Sequence, residues 1–122
     1  LPANTLSANG KAIRVTAWGT TSADANSKTI RIRLGGIAGT IISSNNSSSA
    51  SATHVLTAIV IRTGAATQVG VGVGIFNGTA TSSLISAPSA TLSSAVDIVV
   101  TGVSPSGAGQ FTVGGMLVEA LN

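Results

Sequence analysis

His54 is the one histidine of the chain, and the acids that could serve it number three: Asp24, Asp97 and Glu119. A Ser-His-Asp triad can be drawn on paper in so serine-rich a sequence. Triad chemistry, however, needs a nucleophile presented on a sharp turn such as Gly-x-Ser-x-Gly, and that spacing is absent. Paired carboxylates for glycoside hydrolysis must come from the same three acids, two of which lie in strand-like segments. The absence of cysteine removes disulfides, thiol catalysis and thiolate metal sites together. Gly70-x-Gly72-x-Gly74 has the wrong spacing for a phosphate loop, lies inside a strand pattern and precedes no helix. Asn45-Asn46-Ser47-Ser48 and Asn77-Gly78-Thr79 match the glycosylation acceptor pattern, which chance alone produces in this composition. Trp18 suits either a sugar-stacking platform or, more ordinarily, a core or interface position. No residue is therefore assigned a catalytic, metal or cofactor role, and the chain reads as a non-enzyme.

The elements that must position these groups are strands. Ile13, Val15 and Ala17 alternate with Arg14, Thr16 and Trp18 after the turn signal Asn9-Gly10, and a polar loop follows from Thr20 to Asn26. Lys28 to Leu34 sets Ile30, Ile32 and Leu34 against Thr29, Arg31 and Arg33, and Gly35-Gly36 ends it. Thr40 to Ser43 forms a short strand at most. Ser44 to Ser51 reads as an exposed, mobile, low-complexity loop away from any interface. His54 to Arg62 is apolar on both faces, and Thr63-Gly64-Ala65-Ala66 connects it to Gln68 to Phe76. Asn77-Gly78 is the next strong turn signal. Further strands are expected at Leu84 to Thr91, Val96 to Val103 and Gln110 to Leu121. About eight short strands with no helical period predict a single all-β domain over residues 1–122, an antiparallel β-sandwich of jelly-roll type.

Composition narrows the class. Charged residues make up 7% of the 122 and hydrophobic residues 43%, the reverse of a disordered chain. The pI near 10.8 rests on a net charge of only +3. Lys11, Arg14, Lys28, Arg31, Arg33 and Arg62 are dispersed without aromatic platforms, so nucleic acid is not expected as a partner. No apolar stretch approaches the roughly 20 residues that cross a bilayer, so no membrane partner is expected either.

In Gln68 to Phe76, Val and Ile alternate with glycine, so one face of that strand is nearly bare backbone. Such a face marks a place where another backbone or subunit comes close. Apolar groups on both sides of His54 to Arg62 and Gln110 to Leu121 need a second cover, which a permanent homo-oligomer supplies. The expected interface comprises Gly70, Gly72, Gly74, Leu56, Val60, Met116 and Val118.

The opening Leu1-Pro2-Ala3-Asn4-Thr5-Leu6-Ser7-Ala8-Asn9-Gly10-Lys11, continuing through Val15-Thr16-Ala17-Trp18-Gly19-Thr20, resembles a segment of small structural proteins of tailed bacteriophages. The same proteins resemble the ending, Asp97-Ile98-Val99-Val100-Thr101-Gly102 and Gly115-Met116-Leu117-Val118-Glu119-Ala120-Leu121-Asn122. The resemblance implies a jelly-roll virion protein, a trimer that decorates the capsid or belongs to a head or tail fibre. Its partners would be itself and the major capsid protein or another virion component. A receptor- or carbohydrate-binding module at a fibre tip, recognising a host-surface glycan, is the alternative. In such proteins the region follows a further N-terminal segment, and a start at Leu1 agrees with one being absent here.

Overall fold

The computed structural model describes residues 1–105 and 110–121. Eight strands form two antiparallel sheets: β1 (Ala12–Thr21), β2 (Lys28–Leu34), β3 (Thr40–Ser47), β4 (Thr53–Gly64), β5 (Thr67–Phe76), β6 (Thr79–Ser86), β7 (Ile98–Val103) and β8 (Phe111–Ala120). The larger sheet has the order β6-β5-β4-β1-β8 and the smaller the order β3-β2-β7. Strands β4, β5 and β6 run as a meander, while β1 pairs with β8 and β2 with β7. This order establishes a two-sheet sandwich, not by itself a jelly roll.

The period-two pattern chooses the inner face. Ile13, Val15 and Ala17 of β1, Leu56, Ala58 and Val60 of β4, and Ile30, Ile32 and Leu34 of β2 meet in one core, joined by Leu6, Ile42, Leu92 and Val96. Leu56 and Val60 are fully buried there, so they hold the chain's own core and not an interface.

The bare face of β5 is also closed within the chain. A Cβ at Gly70 would lie 3.3 Å from Ile42 Cγ2, one at Gly72 2.1 Å from the Ile42 carbonyl oxygen, and one at Gly74 2.8 Å from Asn45 Cβ. The neighbour is β3 of the opposite sheet, which corrects the placement of Gly70, Gly72 and Gly74 at a subunit contact. A register shift in β2–β3 turns both Ile42 and Ser43 inward. Ser43 Oγ then donates to the Val73 carbonyl oxygen at 3.1 Å. Polar β3 fits because glycine leaves room for its backbone.

That fit extends β3 through Ser47 and removes half of the expected loop. Asn45 is buried, its Oδ1 accepting from Thr81 Oγ1 at 2.6 Å, and Ser82 Oγ donates to the Ser44 carbonyl oxygen. Only the stretch after Ser47 leaves the sheet. The sixth strand likewise lies earlier than Leu84 to Thr91. Asn77 and Gly78, with φ of 45° and 80°, make a tight turn that pairs Thr79 with Phe76. The stretch 87–97 is strandless, consistent with proline at 88 donating no backbone hydrogen bond. It is clamped by Gln68, whose Nε2 donates to the Ala90 carbonyl oxygen at 3.0 Å while its Oε1 accepts from Ala90 N at 2.9 Å. Among the described residues no helix is long and apolar enough to cross a membrane.

Candidate functional site

The groups with chemical potential are scattered. Glu119 stands on β8 with its Oε2 3.8 Å from Arg14 Nη1. Asp24 lies in the β1–β2 loop, where Lys28 Nζ donates to its Oδ1 at 2.8 Å. The same ammonium donates to the carbonyl oxygens of Asp24 and Asn26, so the fully buried Lys28 closes the loop with three hydrogen bonds. Its donation, with that of Asn26 N, holds the Asp24 carboxyl at about 2. Asp97 meets the Gly35–Gly36 turn through its backbone carbonyl. No group of three or more His, Asp or Glu gathers among the described residues. Arg33 and Arg62 are tied to backbone carbonyls of Gly39 and Leu6. These bonds take two of the six cations into local structure.

Two surfaces stand out instead. The first is the outer face of the larger sheet. Cross-strand register places Ile85, Val71, Ile59, Arg14 and Glu119 in one row, and Ser83, Val73, Thr57, Thr16 and Leu117 in the next. Val69 and Ile61 pair in a third row, and Ile75, Val55 and Trp18 occupy a fourth. Val71 and Leu117 are 44% and 49% exposed. Arg14 and Glu119 are the only charges among the outward positions, and they face each other. Sequence reading anticipated a doubly apolar β4 joined by a hairpin to the Val-Gly strand, but assigned the contact to the glycine face of β5 and not to its row of valines.

At the edge of this sheet β8 overhangs the three-stranded partner. Met116 and Val118 pair with Ala17 and Val15 and so point to the core side, yet remain exposed because, among the described residues, no strand faces them. With Leu1, Ile98 and Ala120 they line an open groove of about 460 Å³.

The second surface is a hollow of about 550 Å³ at the β1–β8 end, lined by Trp18, Thr20, Thr53, His54, Thr112 and Gly114 among others. The β1–β8 register shifts between Trp18 and Gly19, so that Gly19 pairs with Val113 and Gly114 is the extra residue. The indole lies across the glycines of this bulge. A Cβ at Gly115 would be 2.5 Å from Trp18 Cζ2, and one at Gly114 3.0 Å from Cδ1. His54 is buried beside it, its ring 6.2 Å from that of Phe76. Its Nδ1 has no hydrogen-bond partner among the described residues, and burial lowers its pKa. An imidazole without an orienting acid is no triad base. The Gly114-Gly115 pair was the available sequence signal for this corner, visible only as strand-weakening residues.

Comparison with protein-family models, curated proteins and solved structures finds no match to this chain.

Proposed function

We propose that this protein is a non-enzymatic structural protein that works by associating with copies of itself through the outer face of its larger sheet. The observation that carries this reading is the width and chemistry of that face. Five strands at about 4.8 Å spacing and some eight residues at about 3.4 Å rise span roughly 24 by 27 Å. Flat, that is about 650 Å², close to the roughly 800 Å² per partner of a stable interface. Valine, isoleucine, leucine and tryptophan side chains are spread over all four rows of it, and apolar patches of this extent mark interaction surfaces. The facing Arg14 and Glu119 complement each other across subunits when two such faces meet.

The likeness to small structural proteins of tailed phages supplies the finer reading: a homotrimer bound to a capsid protein as a decoration, or part of a fibre, located on the virion. Sedimentation at micromolar concentration tests the association, with a defined oligomer as the expected result. A folded, monodisperse monomer would remove the reading. Locating the chain on intact particles by electron microscopy then tests the decoration role, which requires density repeating over the capsid lattice.

A further inference from the structure

We propose that the hollow beside Trp18 binds the ring of a neutral pyranose sugar, stacked on the indole with its hydroxyl groups against the surrounding threonines. This goes beyond self-association and uses the end of the outer face, where the row of Trp18, Val55 and Ile75 meets the β1–β8 bulge.

Three features carry it. The indole is braced from below by backbone alone, since a side chain at Gly114 or Gly115 would collide with it. One side of the ring is thereby fixed while the residue stays 42% exposed. A large aromatic ring held open in this way offers a flat apolar face of negative potential, suited to the C–H face of a sugar. Next, the rim carries hydroxyls on three strands, Thr20 of β1, Thr53 of β4 and Thr112 of β8. All three threonines are exposed. Thr53 Oγ1 donates to Asn77 Oδ1 at 3.3 Å, which leaves its lone pairs to accept. Finally, a Cβ at Gly19 would sit 2.0 Å from the Thr112 carbonyl oxygen, so glycine at this position lets β8 close on β1 and fixes Thr112 at the rim.

Apolar walls with a few convergent polar groups and a volume of this size describe a small-ligand site. The lining holds no lysine, arginine, aspartate or glutamate. A phosphate, a uronic acid or a sialic acid finds no counter-charge there, whereas a neutral hexose needs none.

Trp18 is the only tryptophan, so its fluorescence reports on the hollow directly. The probes are methyl glycosides of glucose, galactose and mannose, with sorbitol as the control that has the hydroxyls but no ring. One stacked ring supports affinity of millimolar order, so titration runs to about 100 mM. The expected result is a saturable change in emission with at least one glycoside and none with sorbitol. Thr112→Val should weaken that binding several-fold while leaving the far-ultraviolet circular dichroism spectrum of the free protein unchanged. Trp18→Ala should abolish it when binding is followed by ligand-observed NMR. Failure of every glycoside to saturate, an equal response to sorbitol, or unaltered binding by Trp18→Ala would overturn the site. Sedimentation of the same samples separates the two proposals. If emission instead tracks protein concentration and self-association, with no sugar effect in a dissociated Val71→Lys variant, the corner is covered by a second copy and the sugar site is wrong.

Discussion

Gly72 and Ile42 stand in backbone contact across the sandwich: a Cβ on Gly72 would lie 2.1 Å from the Ile42 carbonyl oxygen and 2.8 Å from Ser43 Cα. Neither neighbour is a flexible side-chain end, so nothing can swing aside. Gly72→Ala is expected to destabilise the fold by about 3 kcal/mol or more, at or above the upper end of overpacking. Urea unfolding measures it. Val71→Thr, on the outward face of the same strand, should stay within about 1 kcal/mol. Equal stability of Gly72→Ala and the parent would mean that the two sheets do not close on the glycine row.

Lys28 is a buried cation whose ammonium meets two carbonyls and one carboxylate of the β1–β2 loop. Lys28→Met keeps the apolar stem and deletes three charged hydrogen bonds, leaving acceptors without donors. The expected cost is about 2–3 kcal/mol, seen as a lower Tm. Hydrogen exchange should rise first at residues 22–27. An unchanged Tm would show the clasp to be dispensable.

Acid should weaken the protein in two separate steps. Burial lowers the pKa of His54 below its ordinary 6.5, so the unfolded chain takes up this proton more readily than the folded one. Its contribution is complete above pH 6.5 and declines as pH falls below that value. Asp24 is held at about 2 against 3.8 unfolded, so its contribution persists above pH 3.8 and disappears toward pH 2. Melting curves between pH 8 and 2 should show both steps, and His54→Phe should remove only the upper one. A pH-independent Tm from 8 to 4.5 in the parent would contradict the buried, neutral imidazole.

Val71 and Val73 project from the middle of the outer sheet face. A lysine at either site places an unpaired charge in the proposed contact while the core stays intact. Val71→Lys and Val73→Lys are therefore expected to sediment as monomers with an unchanged far-ultraviolet circular dichroism spectrum. Lysine at Val103, an exposed residue on the edge of the other sheet, should leave association unaltered. Retention of the oligomer by both β5 variants would place the interface elsewhere.

Local pattern was enough to read the strand class, the inner residues of β1 and β2, and the turn at Asn77-Gly78, because side-chain alternation and left-handed turn residues are properties of adjacent positions, whereas β4, apolar on both faces, gave no sign of which face was inner. Lys28 could have been flagged, since it falls in phase with Ile30, Ile32 and Leu34 on the buried face of β2. The sequence also showed that something must approach the glycine row of β5. Whether that was a second subunit or the chain's own β3 depends on how two sheets are stacked, a long-range relationship that no local period encodes. The same holds for Ser44 to Ser47. Their composition speaks for a loop, yet opposite glycines that admit a polar strand make them β3. Met116 and Val118 show the converse: their phase is that of core residues, but the second sheet ends at β7 and leaves them uncovered. Trp18 rests on Gly114 and Gly115, about a hundred positions away, because antiparallel pairing of β1 with β8 brings the two ends of the chain together. Which residues could be buried was written in their types and spacing, and which surface each one met was decided only when the sheets closed.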